Sequence, residues 1–410
     1  MKHALLIASA CLLALLSTTG ASLPYPILAP LFGAEDAAGA TGLTRFLGLP
    51  PTLLLGIALM INPLGLLLGS AVLGPVSDRL GRRKVLLATA LGAALGHGLT
   101  AVALVLDSYP LFLAARFVTG LLEGNGSIMR AMLAERIEGP LRNHALSWLN
   151  GAFNLGWLVG PLLAGLTVGV SITLPFYIAA AALLLGAACA AAALAPEPVQ
   201  AKAGSWWQVA RERHALTLLR HAPLRMLFGV HFAYACGVAA FYEFFPLWLV
   251  DVGRYGTRQI AFVNMGMCAA MACAALFAGR ASLREPRRRA ALQAALAATA
   301  ILAVGFGNLG VGLLAIVLFG LPHAYYNATV QGWAADQFAQ YGQGAVMGLL
   351  STTFCLANIV MALAGGILSV VDTRIVLVVG GLLAARAAWS LRRWSGHAIA
   401  QRADTAVEAR

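Results

Sequence analysis

The chain has 410 residues, of which 60% are hydrophobic and 11% charged, with a formal net charge of +12 and a mean hydropathy of +0.81. Soluble globular proteins carry about 25% charged residues, so this surface lacks the charges that water requires. The composition excludes a soluble enzyme, a disordered tail and a nucleic-acid module, and it points to a polytopic membrane protein.

A helix crossing the hydrocarbon core needs about 20 mostly apolar residues, and only helices and closed barrels satisfy the backbone there. The chain does not alternate as barrel strands do. Its apolar runs predict helical spans at 4–32, 52–74, 85–106, 110–133, 144–170, 173–195, 225–250, 258–279, 290–307, 311–333, 344–370 and 374–392. The first run opens like a secretory leader, with Lys2 and then Ala4–Leu16. It continues apolar through Pro24, Tyr25, Pro26 and Leu28 to Phe32, and its removal would leave an odd count. A retained first helix is therefore expected. The fold class is an all-α polytopic membrane protein with twelve transmembrane helices in two six-helix, pseudo-repeated bundles.

The longest gap between spans divides the chain. Residues 1–195 are predicted to form the first bundle and 225–392 the second, joined by a cytoplasmic linker at 196–224 and followed by a tail at 393–410. The linker carries Ser205 as a cap, Trp206, Trp207 and three arginines, with a fourth at Arg225 where the next span begins, the pattern of a helix lying on the inner leaflet. With the N-terminus inside, 22 basic residues fall in inner loops and tails and four in outer loops. That asymmetry puts both termini in the cytoplasm. It also accounts for the positive charge without a nucleic-acid partner. The six cysteines all lie within apolar spans and form no C-x-x-C pair, so they read as small core residues without disulfides or metal.

Between the second and third spans the chain reads GPVSDRLGRRK, Gly74 to Lys84. Between the eighth and ninth it reads GRASLREPRRR, Gly279 to Arg289. Gly aligns with Gly, Arg79 with Arg284, Arg82 with Arg287 and Arg83 with Arg288, while Asp78 becomes Leu283 and Gly81 becomes Pro286. Pro30-Leu31-Phe32 is echoed by Pro246-Leu247-Trp248. The same loop in the same place indicates an internal duplication, a known layout of transporters whose site lies between the halves. Gly74 permits close packing, Asp78 can cap a helix, Gly81 permits the turn, and Arg82 and Arg83 can pair with a carboxylate such as Glu135.

The Gly74–Lys84 string closely resembles the loop signature G-x-x-x-D-R-x-G-R-R-K of the major facilitator superfamily. The span count, the repeat and the long middle loop extend that resemblance over nearly the whole chain. In that family such charge pairs latch the outward-open state, which assigns a conformational latch to Gly74, Asp78, Arg79, Gly81, Arg82, Arg83 and Glu135. The alternative is that these are ordinary inner-loop charges.

A charge at mid-bilayer is costly and usually functional. Only Glu123 and Glu243, of 16 acidic residues, fall well inside spans. Arg116, Glu123 and Arg130 recur at seven-residue intervals, within about 40° of one line on a continuous helix, together with Gly120 and Ser127 and opposite Asn125. They are expected to face a wet cavity or partner helices. A partly desolvated carboxyl can load and release a proton near neutral pH, so Glu123 is the first candidate for proton coupling. Arg116-x-x-x-Gly120 resembles the family's fourth-helix motif, in which the arginine is tied to that coupling. A structural ion pair of Glu123 with Arg116 or Arg130 is the alternative.

Glu243, on a stripe with Cys236 and Ala239, is a candidate for a cationic substrate or a second proton. His231 lies about 120° away on the same helix and is not its obvious partner. In the fifth span, Gly156, Gly160, Pro161, Ala164 and Gly165 resemble the family's antiporter motif, which accompanies export. Its small residues allow close helix approach. Arg130, Asn150, Asn154, His323, Asn327 and Asn358 are candidate cavity residues, with Trp157, Tyr326, Gln331, Ser351 and Cys355 nearby on the same faces. Interhelical hydrogen bonding is the alternative for each. His97 reads as a packing residue. No phosphate-binding loop, zinc spacing or nucleophile elbow occurs, so neither cofactor nor enzymatic activity is expected.

The resemblance to the twelve-span drug:proton antiporter branch implies proton-coupled export of a small amphipathic solute. Its partners would be that solute, protons and the lipid bilayer of a bacterial inner membrane. A proton symporter importing a metabolite and a non-transporting receptor are the rival readings.

Overall fold

A computed structural model describes residues 2–33, 41–194, 215–278 and 285–394. The first span is α1 (Lys2–Ser22) and α2 (Tyr25–Gly33), parted at Leu23-Pro24 because proline lacks the amide that would continue the ladder. α3 (Pro51–Leu80) and α4 (Arg82–Val105) are the second and third spans. The fourth is α5 (Tyr109–Glu123) and α6 (Gly126–Arg136). α7 (Gly139–Thr167) and α8 (Leu174–Ala193) complete the first half. The second half comprises α9 (Ala222–Gly253), α10 (Thr257–Ala278), α11 (Pro286–Phe306), α12 (Leu309–Gln337), α13 (Gln343–Leu368) and α14 (Thr373–Arg393). Ten helices, α1 and α2 taken together, are long and apolar enough to cross a bilayer. The broken fourth span and α10 complete the predicted twelve.

The fourth span departs from the expected continuous helix at Gly124-Asn125. The cause is the crossing of α3. A Cβ on Gly69 would stand 2.0 Å from the Leu121 carbonyl oxygen, one on Gly120 2.2 Å from that of Asn62, and one on Gly124 2.5 Å from the Ser70 nitrogen. The two backbones touch along glycines spaced by four, as small-residue crossings in membranes do. Asn62 Nδ2 donates to the Arg116 carbonyl at 3.2 Å and Tyr109 Oη to that of Leu54 at 2.6 Å, tying the same pair of helices.

α1 packs on α7 by the same device. A Cβ on Gly156 would meet Thr18 Cβ at 2.5 Å and one on Gly160 would meet Ser22 Oγ at 2.1 Å. Ser22 Oγ donates to the Gly156 carbonyl at 3.0 Å. In the second half α9 is the central helix, lying against α14 at Gly237 and Gly380 and against α12 through Phe241 and Phe319, whose rings are 4.1 Å apart.

The halves meet at one end. Gly56 of α3 lies against Ala362 and Gly366 of α13, Gly165 of α7 against Ala261 of α10, and Gly33 of α2 against Leu247 of α9. One buried apolar cluster spans this seam, with Leu28, Leu54, Leu55 and Ala58 from the first half and Ala239, Phe244, Leu247 and Met361 from the second. Gly56 precedes Leu80 by about 36 Å of helix, so the seam lies far from the Arg79–Lys84 loop. At that basic end, the buried cluster that includes Leu6, Val85, Met132 and Ala187 draws on the first half alone.

The predicted interfacial helix lies largely in residues 195–214, outside the described residues, as do 279–284 of the second basic loop and 395–410 of the tail. Residues Ala215–Arg220 form a 3-10 turn whose Ala215, Leu216 and Leu219 pack on the core of the second half. In the second loop, Arg288 pairs with Glu285 at 2.9 Å and Arg287 Nη1 donates to the Trp394 carbonyl at 2.5 Å.

Gly69→Ala should lower stability by about 1–3 kcal/mol, because the added methyl has no room against the α5 backbone. Thermal unfolding in detergent measures this, with Gly98→Ala as the control, since nothing lies within 4 Å of that Cβ. At the seam end, Asp107 in the α4–α5 turn accepts the amide of Leu43 at 3.0 Å and that of Gly42. Partial burial pushes its carboxyl up, but the Leu43 and Gly42 amides and the Thr41 side chain together outweigh burial and hold it below its ordinary 3.8. A depressed carboxyl stabilises above its unfolded value, and that gain disappears as pH falls through the folded one. The tether should therefore be complete at neutral pH and vanish only below 3.8. Asp107→Ala should remove it at neutral pH, at a cost of about 1 kcal/mol; amide exchange at Gly42 and Leu43 reports it.

Candidate functional site

The buried charges of the first half gather around α1. Arg116 is 3% exposed and its Nη2 donates to the Ala21 carbonyl at 3.3 Å. Glu123 is 6% exposed, and its Oε1 lies 3.0 Å from Nε2 of His97 on α4. Gly20 of α1 covers this pair so closely that a Cβ there would stand 2.2 Å from the imidazole. Arg116 is in electrostatic range of both Glu123 and Tyr25. Among the described residues Arg116 Nη1, Glu123 Oε2 and His97 Nδ1 are buried without a hydrogen-bond partner. Each has capacity for one further proton or bond.

Two expectations change here. His97 is the partner of Glu123 and not merely a packing residue. Arg130 lies beyond the break in the fourth span, so the straight stripe with Arg116 and Glu123 does not form. The residue is exposed, and its guanidinium packs over the Phe153 ring of α7 at 5.1 Å. Arg116 and Glu123 are enclosed by partner helices α1 and α4, one of the two surroundings expected for them. Asn125, as expected, points away, donating to Thr89 Oγ1 at 3.1 Å.

Glu243 sits across the seam from this cluster. It is 2% exposed and neither carboxyl oxygen has a hydrogen-bond partner. Tyr25 of α2 is in electrostatic range of Glu243, Arg116 and Cys355, so it stands between the charged groups of the two halves. Its ring packs on Trp157 of α7 at 5.6 Å.

Below the seam, toward the basic end, the polar candidates separate into open and closed ones. Asn150 and Asn154 are exposed on α7, on the broad stripe that meets α10 at Gly165. Asn327 is half-buried and its Nδ2 lies 3.0 Å from His323 Nε2. His323 Nδ1 in turn faces Tyr234 Oη at 3.1 Å, and Tyr234 stacks on Tyr326 at 3.5 Å. Asn358 is buried and donates to the Phe354 carbonyl of its own helix at 2.7 Å.

At the basic end Arg82 grips Glu135 with two bonds, Nε at 2.8 Å and Nη2 at 2.5 Å, and also reaches Asp78 at 2.9 Å. The planar fork of arginine suits this two-point contact. Gly81 takes φ +93°, a conformation that glycine permits, and joins α3 to α4. Arg79 occupies the last turn of α3, and Gly74 faces Ser127 Oγ of α6. Arg83 does not meet a carboxylate; its Nη2 donates to the Ala191 carbonyl of α8 at 2.6 Å. In the fifth span Gly156 and Gly160 seat α1 while Gly165 seats α10, and Pro161 is buried between them.

Sequence reasoning passed over His97 and Tyr25 as site residues. Each stood out as a polar group in an apolar span, but their partners lie on other helices and are not readable from spacing. His97→Ala should cost about 1–3 kcal/mol by leaving the Glu123 carboxyl without its partner. The double variant with Glu123→Ala should recover part of that loss, which a double-mutant cycle in detergent unfolding measures.

The Major Facilitator Superfamily is matched over residues 7–360. The class C tetracycline resistance protein of Escherichia coli is 34% identical over 125 residues, 30% of this chain and 31% of that protein. The matched segment thus spans about a third of that relative. The class G tetracycline resistance protein of Vibrio anguillarum is 27% identical over 298 residues, covering 70% of this chain and 73% of its own. A solved D-xylose–proton symporter shares the fold with a TM-score of 0.74 at 16% identity, covering 95% of this chain and 97% of its own. The human organic anion transporter MFSD10 does so at 0.67 and 21% identity, covering 95% of this chain and 99% of its own. With twelve spans in two halves that meet at one end, the chain belongs to the Major Facilitator Superfamily of membrane transporters.

Proposed function

We propose that the chain is a proton-coupled secondary transporter that exports a small amphipathic solute by alternating access. One observation carries this reading: the halves share an apolar seam at one end, while among the described residues no buried cluster joins them at the other. Basic loops favour the cytoplasm. On that rule the seam is extracellular, both termini are cytoplasmic, and the structure is closed outward and open inward. The exposed Asn150, Asn154 and Arg130, with Asn327, then border the open side and are the groups that would contact the solute.

Glu123 is the proposed carrier of the coupling proton. It lies between His97 and Arg116, so gain or loss of a proton changes its attraction to both. That difference can bias how α4 and α5 pack on α1. The Asp78–Arg82–Glu135 cluster is the proposed latch. Here it ties α3, α4 and α6 within the first half, the rigid body that would swing. Resemblance to the tetracycline resistance proteins and the glycine–proline string of α7 support export over uptake. A bacterial inner membrane is the proposed location. Transport, without a cofactor or a catalysed reaction, is the proposed activity.

Reconstituted vesicles test this directly, with tetracycline as the first probe. An imposed pH gradient should drive probe movement toward the face opposite the basic loops. Glu123→Gln should reduce gradient-driven movement at least tenfold while retaining exchange of labelled for unlabelled probe. Full gradient coupling in that variant would remove Glu123 from the mechanism, and accumulation in the reverse direction would establish uptake.

A further inference from the structure

We infer that Glu243 is a proton-binding site built into the seam, and that protonation there is a condition for the seam to close. The inference rests on the alternating-access reading but does not depend on Glu123 as the coupling group.

The geometry is specific. Ala239, Ala240, Phe244 and Leu247 of the same helix belong to the apolar cluster shared by the two halves. Phe244 is wedged so tightly on α13 that a Cβ at Gly365 would stand 2.2 Å from its ring, and the preceding residue, Glu243, is 2% exposed with Tyr25 of α2, from the other half, in electrostatic range. Glu123 has His97 as a partner, whereas both Glu243 oxygens are buried and unpartnered. An ionised carboxylate without donors in an apolar setting is strongly disfavoured, and protonation removes the charge. The closed seam therefore selects the acid form. Parting the halves admits water, and the group can then ionise.

The groups facing Glu243 fit this role. α2 contributes Tyr25, which is also in range of Arg116 of α5 and Cys355 of α13, and α9 itself contributes Cys236. Arg116 forms no ion pair with Glu243; it bonds the Ala21 carbonyl and is in range of Glu123. α14 presents Gly380 and Ala384 to α9, with its arginines at 374 and from 386 onward. A state that binds one more proton gains up to tenfold in population for each unit by which pH falls between the two states' titrations. A proton arriving from the extracellular face would then close the seam and return an emptied exporter to its inward-open form.

The experiment reads conformation, not transport. The six cysteines are replaced, and spin labels are placed at Val170→Cys and Phe306→Cys, which are 79% and 74% exposed at the seam end of opposite halves. Distances are measured in lipid nanodiscs from about pH 5 to about pH 9, a range that brackets carboxyl titration. The parent should populate the short distance at low pH and lose it by at least tenfold across the range. Glu243→Gln and Glu243→Leu, both neutral, should hold the short distance throughout. A parent without pH response, or neutral variants that respond like the parent, would overturn the inference. Either result leaves gradient-driven transport, and the Glu123 test above, to stand or fall separately.

Discussion

Contact across the seam depends on backbones approaching without side chains between them. Gly56 meets Gly366 and Gly165 meets Ala261. In lipid, apolar side chains gain little by leaving hydrocarbon for one another, so packing at close range supplies the attraction. Glycines supply that range here. The same device joins α3 to α5 and α1 to α7 inside the first half, but there it is reinforced by Asn62, Tyr109 and Ser22, each bonded to a neighbouring backbone carbonyl. Those tethers stay within one half. The seam between the halves is lined instead by apolar residues from both.

Buried charge is arranged around this division. His97, Glu123 and Arg116 are enclosed beside α1, Glu243 is enclosed in the seam, and Tyr25 lies between them. α1 and α2 touch α7 and the seam alike, so the first span is in contact with both the charge cluster and the seam. The prolines that part α1 from α2 place Tyr25 at that junction. Partly satisfied buried groups are expensive in lipid, and here they gather beside the first span and in the seam.

Much of this was readable from residues alone. The apolar runs gave the twelve spans, the repeated basic loop gave the duplication, and Gly74–Lys84 led to the family. The Arg82–Glu135 pairing was inferable because both residues stand at helix ends on one face of the chain's topology. Helical spacing puts Arg116, Glu123 and Arg130 on one stripe because it assumes an unbroken helix. The crossing of α3 at Gly69 and Gly124 breaks it. His97 was set down as a packing residue because its carboxyl partner is on another helix.

By itself, the sequence determined what the bilayer demands: length of span, placement of basic loops, and small residues where helices cross. Those properties are local, since each is set by the solvent around a short segment. Only the tertiary structure decided which buried groups meet, which end of the molecule is sealed, and that Glu243 lies in the seal without a partner. Such facts depend on the relative rotation and tilt of helices far apart in the chain, and hydrophobic periodicity carries no record of either.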